Sequence, residues 1–343
     1  ATIEGAEIVA VCDNYPPHLE IGAEKAGPQA KQFSDVTKML KEIKPEAVII
    51  ATPLYTHYEI AMEALEHDCH IFCEKTMCYS IDQSRHLKSA VDKKGAILQV
   101  GLQRRSNAVY HQAKKLIEDG ALGDLTTIKC QWHRNGSWRR GIPVGKDHPD
   151  FERLEKKLNW RLYREYSRGL MTELASHQMD VANWMVGHHP ARVMGTGGTD
   201  WYRDGREVYD NIFLIYDYDV PANDGGTRVI RATYSSIQTN AYENFSELIM
   251  GTKGTLFLTQ GKGLFYQEAA ARNSQEQQAQ EGLELVRTGQ TLRISNDPWG
   301  HRGTPYEINP EGEDTRQELV MFIKSVAEGD RSTVCDVNVG VED

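Results

Sequence analysis

Residues 46–76 read Glu-Ala-Val-Ile-Ile-Ala-Thr-Pro-Leu-Tyr-Thr-His-Tyr-Glu-Ile-Ala-Met-Glu-Ala-Leu-Glu-His-Asp-Cys-His-Ile-Phe-Cys-Glu-Lys-Thr. A β-branched run at 47–52 stops at Pro53. Apolar residues then recur at helical spacing over 58–67 (Ile60, Ala61, Ala64, Leu65), and a second short apolar run follows at 69–73. Strand, helix and strand in so few residues make a parallel pair with a crossover helix. The alternation extends in both directions, with a strand at 7–12 upstream and a helix at 80–93 and a strand at 96–101 downstream. The expected domain over residues 1–122 is therefore an α/β doubly wound parallel sheet.

After Gly123 the pattern changes to alternating strands at 125–133, 191–196, 211–218, 228–237, 245–250 and 254–259, punctuated by turn pairs such as Asp204-Gly205. This predicts a second, α+β domain over 123–343 with a mostly antiparallel open sheet. One long helix, 170–186, interrupts it, and Gly187 is placed to stop that helix. Residues 268–284 form a polar, Gln-rich insertion, expected as a solvated helix or flap. A length of 343 residues suits two domains.

Lys+Arg 39 against Asp+Glu 49 gives a formal net charge of −10, which disfavours nucleic acid and anionic lipid as partners. No apolar run approaches the roughly 20 residues that a membrane helix needs. The chain opens on what reads as a strand already under way, so any targeting segment is expected to have been removed or never to have existed. The compartment stays open, cytoplasmic by default with an exported form possible. The six cysteines read as scattered core thiols, and Cys69, Cys73 and Cys78 as a buried strand with its exit loop and not a metal site.

In dinucleotide-binding folds the second strand ends in an acid that holds the adenosine ribose and repels a 2′-phosphate; Asp13, closing Val9-Ala-Val-Cys, has that position and favours NAD. The glycine fingerprint should lie about 20 residues upstream of such an acid, before residue 1, so the first βα unit and its pyrophosphate loop are expected to be absent from this chain. The similar string at 195–200 leads into no helix and reads as a loop. The third and fourth strands run into Thr52, Pro53 and His57 and into Glu74 and Lys75, at carboxyl ends where open α/β sheets bind ligands.

These motifs carry a resemblance. Thr-Pro-x-x-x-His at 52–57, the Glu74-Lys75 pair followed by a helix, and the later Gly-x-x-x-Glu-x-x-x-His-x-x-Asp at 169–180 resemble the Gfo/Idh/MocA oxidoreductases over nearly the whole chain. The family implies a Rossmann-type N-terminal domain, NAD as cofactor, and hydride transfer between nicotinamide and a secondary hydroxyl of a sugar, cyclitol or sugar derivative. Two of the family's usual residues differ: Thr76 stands where Pro follows Glu-Lys, and Glu173 where an Asp precedes the helix histidine.

On a helix, Glu173, His177 and Asp180 fall at i, i+4 and i+7, one stripe of one face. With Lys75 supplied from the other domain, as the resemblance implies, His177 is expected to take the hydroxyl proton, Glu173 to orient it and Lys75 to stabilise the developing alkoxide. Asp180 and Tyr163, with His177 and Lys75, are the expected substrate residues. Gln103 is placed to meet the nicotinamide carboxamide or the substrate, and Trp160-Arg161 resembles a segment that reaches over the cofactor in several family members. Thr52, Pro53, His57, Glu74 and Lys75 complete the expected cofactor set with Asp13. The segment 131–146 gathers Arg134, Arg139, Arg140 and Lys146 with Trp132 and Trp138, which suits a sugar ring bearing a negative substituent or a solvated loop equally.

Two other readings remain open from the resemblance. One is a redox-neutral glycosidase acting by transient oxidation and elimination, with Tyr163, Tyr166 and Tyr209 as acids or bases. The other is a dinucleotide-binding sensor without turnover, which the Lys75 and His177 pair argues against. The second-domain sheet has helix 170–186 for one face and no sequence signal for cover on the other, with Val229, Ile230, Ala232, Tyr234, Leu256 and Leu258 in its strands. This predicts a homodimer, or a tetramer of such dimers, unless residues 268–284 fold back over the sheet.

Overall fold

The structure, a computed structural model, describes residues 3–222, 225–268, 305–308 and 314–342. It contains two compact units, Ala1–Gln103 with Thr315–Asp343, and Arg104–Asp314. The boundary thus falls earlier than the expected 122/123, and the last residues of the chain return to the first unit.

The first unit opens with β1 (Ala10–Cys12), α1 (Pro16–Ala26), β2 (Lys31–Phe33) and α2 (Val36–Ile43). The expected alternation follows as β3 (Ala47–Ile50), α3 (His57–Glu66), β4 (His70–Glu74), α4 (Ile81–Lys94) and β5 (Leu98–Gly101). Local signals set the helix ends: the Ser80 hydroxyl accepts from the Gln83 N–H at 3.3 Å, and Gly95 stops α4 at φ 67°. All pairing is parallel, but in two ladders, β1–β2 and β3–β4–β5. In the doubly wound order 3-2-1-4-5-6 these are the 3-2 and 4-5-6 parts, and no described residue occupies strand position 1. Ala61, Ala64 and Leu65 of α3 pack on Ile50, Ile71, Cys73 and Leu98. Cys69, Cys73 and Cys78 belong to this core, where burial pushes the Cys78 thiol up to about 11.

The second unit comprises α5 (Ala108–Glu118), β6 (Leu125–His133), α6 (Phe151–Leu158), a π-helical turn (Met171–Ala175) and α7 (Ser176–Val186), then β7 (Arg192–Gly198), β8 (Asn211–Pro221) and β9 (Thr227–Ile237). β10 (Phe245–Gly251), β11 (Gly254–Thr259), β12 (Lys262–Gln267) and β13 (Tyr306–Ile308) complete an eight-stranded sheet of order β13-β12-β11-β10-β6-β9-β8-β7, antiparallel except for β6–β9. After it, α8 (Asp314–Glu328) and α9 (Val337–Glu342) lead back: Phe322 of α8 meets Phe72 of β4 at 5.7 Å between ring centroids, and Val337 joins the β3–β4–β5 core.

The expectation of a loop at 195–200 is corrected: Gly195–Gly198 belong to β7. A Cβ on Gly195 would lie 2.5 Å from the Phe213 carbonyl oxygen, and one on Gly197 equally close to that of Asn211. Glycine here permits close approach of two strands and not a turn. The helix expected at 170–186 begins with the π turn, and Gly187 ends it at φ 76° as anticipated. Of the insertion at 268–284, all but Glu268 lies outside the described residues.

Residues of α5 and α7 share one hydrophobic cluster with Ile128, Cys130, Ala232, Tyr234, Leu256 and Leu258, which defines the covered face of the sheet. Within it lies a buried polar network. Arg104 Nη1 donates to Asp314 Oδ2 at 3.1 Å, with both side chains at most 2% exposed. Gln260 Nε2 donates to Asp314 Oδ1 at 2.7 Å. Glu247 on β10 accepts from the Tyr110 hydroxyl at 2.7 Å and from Gln178 Nε2 at 3.2 Å, tying α5 and α7 to the sheet.

Removing one partner of a buried ion pair strands the other. Asp314→Ala is expected to lower unfolding free energy by about 3 kcal/mol or more, while Arg104→Met with Asp314→Leu recovers most of that loss, as read by denaturant titration. Burial also pushes the Glu247 carboxyl above its ordinary 4.5, against the opposing influence of Arg104, Tyr110 and Gln178. The folded protein therefore holds this proton more tightly than the unfolded chain does, and stability is lost as pH rises from about 4.5 through the folded value. Stability measured across pH should show Glu247→Gln flattening that decline; an unchanged slope would contradict the assignment.

Candidate functional site

In the first unit the expected residues stand at the carboxyl ends of the parallel strands. Asp13 follows β1, its Oδ1 accepting from the Tyr15 N–H at 2.7 Å and its Oδ2 3.7 Å from His18 Nδ1, with the side chain 38% exposed. After β3, the Thr56 hydroxyl donates to Thr52 Oγ1 at 2.7 Å and to the Pro53 carbonyl at 2.8 Å, closing the turn. His57 is buried, with Nδ1 3.0 Å from the Thr76 carbonyl and Nε2 2.9 Å from that of Thr52. A neutral imidazole donates through one nitrogen only. His57 thus joins the turn after β3 to the turn after β4, and its ring faces backbone, not an open site.

Glu74 ends β4, half-buried Lys75 follows it, and the Lys75–Thr76 peptide is cis. Burial raises the Glu74 carboxyl above its usual range while the adjacent Lys75 opposes the shift. Gly101 of β5 packs closely beside it: a Cβ there would sit 3.1 Å from Glu74 Oε2. At the end of the unit, Gln103 Oε1 is buried and has no hydrogen-bond partner among the described residues. An accessible carboxylate after β1 and an orphaned amide oxygen after β5 fit the ribose diol and the carboxamide of NAD. No described residue supplies the glycine loop for its pyrophosphate.

In the second unit His177 is 5% exposed and lies against Trp132 of β6, with ring centroids 5.2 Å apart; Phe245 flanks Trp132 at 5.1 Å. The two acids of the expected stripe sit in different local settings. Glu173 sits in the π turn, and its oxygens accept from Arg161 Nε at 2.8 Å and Ser167 Oγ at 3.3 Å. Asp180 is buried against Arg105, which donates through Nε at 2.8 Å and 3.1 Å and places Nη2 at 2.7 Å. Each acid therefore has its own arginine, and Asp180 holds α7 in place. Arg105 escaped the sequence reading because no local spacing links it to a residue so far along the chain.

Arg161 also covers the Trp160 ring at 4.2 Å. Tyr163 donates to Glu155 Oε1 at 2.8 Å, and burial raises its hydroxyl. Glu155 in turn pairs with Arg139, whose Nε donates to Asp204 at 3.2 Å. Arg139 and Arg206 hold the Asp204 carboxyl well below the usual carboxylate range. Tyr163, Arg139 and Asp204 thus form a clamp that fixes the segment between β6 and α7.

Two family models match the chain: an oxidoreductase family, NAD-binding Rossmann fold, over residues 1–102, and the GFO/IDH/MocA C-terminal domain over residues 110–257. The chain is 31% identical over 195 residues to 2,7-anhydro-N-acetylneuraminate hydratase of Mediterraneibacter gnavus, covering 57% of this chain and 46% of that protein. It is 25% identical over 258 residues to scyllo-inositol 2-dehydrogenase (NAD(+)) of Bacillus subtilis, covering 75% and 67%. The chain thus spans about half the length of the first of these relatives. The fold matches that of levoglucosan dehydrogenase in complex with NADH and levoglucosan, with a TM-score of 0.70 and 22% identity over 98% of this chain and 84% of that one. With both domain types matched in order over well more than half its length, the chain belongs to the Gfo/Idh/MocA family of oxidoreductases.

Proposed function

We propose that the protein interconverts a secondary alcohol and a ketone on a sugar, cyclitol or sugar derivative, with NAD as its redox partner. The observation that carries this reading is His177, a buried imidazole packed against Trp132 one turn after an acid already held by Arg161. An interior position is costly for a group that changes charge, and proton transfer is what such a group does well near neutral pH. Bound NAD supplies the hydride acceptor at C4 of its nicotinamide. In the oxidative direction His177 takes the hydroxyl proton as the carbinol C–H electrons leave as hydride. Lys75 donates to the same oxygen and stabilises its developing charge. Glu173, its charge shared with Arg161, favours the imidazolium as it forms. Asp13 and Gln103 hold the ribose and the carboxamide, and Thr52, Pro53, His57 and Glu74 shape the backbone around them.

Lys75→Ala and His177→Ala are each expected to cut turnover by at least about 10²-fold while leaving NAD affinity nearly unchanged. Nicotinamide absorbance and aglycone release, followed together on a panel of sugars, cyclitols and aryl glycosides, separate dehydrogenation from glycoside cleavage. Wild-type rates in either folded variant would overturn the assignment.

For assembly we propose a homodimer, or a tetramer of dimers, paired through the open face of the second-unit sheet. Of the sheet residues singled out in the sequence, Val229 is on that face, while Ile230, Ala232, Tyr234, Leu256 and Leu258 are buried on the other. Cross-strand register puts Met194, Ile215, Thr233, Lys129, Leu248, Phe257 and Leu264 in one row across the open face, apolar at both ends with Thr233 and Lys129 between, beside an exposed Phe213. Two apolar groups left on one open sheet face favour a self-complementary interface that covers both. Sedimentation at micromolar concentration should give a dimer or tetramer mass, and Phe257→Lys with Ile215→Lys should shift it to monomer; a wild-type monomer would refute the pairing.

A further inference from the structure

Arg134 stands apart from the other cations of its segment. Arg139 is neutralised by Glu155 and Asp204, and Arg140 is exposed. Arg134 is half-buried, and among the described residues no acid pairs with it. Its backbone continues the line of β6: the Arg134 N–H donates to the Ile237 carbonyl at 3.0 Å, and Asn135 bridges to Thr239. Alternate residues of an extended strand share a face, so Arg134 follows Trp132 on the side where Trp132 packs against His177. The chain then turns back so that the Trp138 ring lies 5.0 Å from the guanidinium carbon. Trp138 achieves this at φ 64°, a conformation rare for a bulky side chain. Burial and the like charge of nearby Arg161 both disfavour the charged guanidinium. Arg161 is already engaged by Glu173, so Arg134 is left, among the described residues, without a compensating acid on the face that carries His177.

We propose that Arg134, seated on Trp138, is a carboxylate-binding subsite, and that the substrate is a sugar acid whose carboxylate it takes while a ring carbinol meets His177. This rests on the dehydrogenase reading above and names its substrate class. A planar guanidinium pairs with a carboxylate through two parallel hydrogen bonds, and the aromatic face beneath fixes its plane. One free cation balances one negative charge, which favours a carboxylate over a phosphate dianion on a protein with a net charge of −10.

The test compares a hexuronic acid panel with the matching neutral hexoses and hexose phosphates, on wild type, Arg134→Met and Arg134→Lys. Turnover is read by nicotinamide absorbance, and binding without turnover by calorimetry. Wild type should prefer the acids over the neutral sugars. Arg134→Met should lose about 10- to 100-fold in kcat/KM for the acids, chiefly through KM, with little change for neutral sugars, and Arg134→Lys should recover part of the loss. Acid binding that depends on Arg134 without redox turnover would uphold the subsite and overturn the dehydrogenase reading. Turnover of neutral sugars or sugar phosphates at rates equal to the acids, unaffected by Arg134→Met, would overturn the subsite and leave the dehydrogenase reading standing.

Discussion

The second unit begins at Arg104 and ends at Asp314, and these two residues form a buried ion pair. Such a pair costs less in a core where other groups meet its remaining hydrogen-bonding capacity. Gln260 and Asn107 meet it on the Asp314 side; on the other, Arg104 Nε has no hydrogen-bond partner among the described residues, and the guanidinium lies 5.6 Å from the Tyr110 ring and 5.1 Å from that of Phe245. From there the contacts are continuous. Phe245 touches Trp132, Trp132 touches His177, and Glu247 joins Tyr110 to Gln178, the residue beside His177. The imidazole proposed for proton transfer is therefore positioned by a network that starts where the unit's two ends meet.

Local structure was well encoded in the sequence wherever one residue class has one physical use. The run at 46–76 gave strand, helix and strand because its apolar periods switch cleanly at Pro53 and at Asp68. Gly187 marked the end of α7 because only a left-handed residue stops a helix there without strain. The glycines at 195 and 197 misled because the same residue serves a turn and a close strand approach, and only the neighbouring strand tells them apart. In the site, Lys75, Glu173 and His177 were visible as ordered motifs. Their partners were not, since Arg105 reaches Asp180 and Arg161 reaches Glu173 across loops that no periodicity relates.

The same limit explains the π turn. A stripe drawn at regular α spacing assigns Glu173 and Asp180 to a common purpose, and one wider turn separates them. The sheet, in contrast, was legible in its strands but not in its order. Alternation shows which residues of β8 and β9 face inward, yet nothing in β6 announces that its neighbours come from β9 and β10.

That order bears on how the polypeptide is made. β6 lies at residues 125–133, and both of its neighbours, β9 and β10, are translated only after residue 226. During synthesis the strand that carries Trp132 must wait with both edges unpaired while the long crossover emerges, and such non-local parallel pairing is slow to form. The first unit waits longer still, because Phe322 and Val337, which pack into it, follow the whole of the second unit in the sequence. Neither unit can close before its last strand or helix has been translated, so strands β3–β5 wait for Val337 while the whole of the second unit is made.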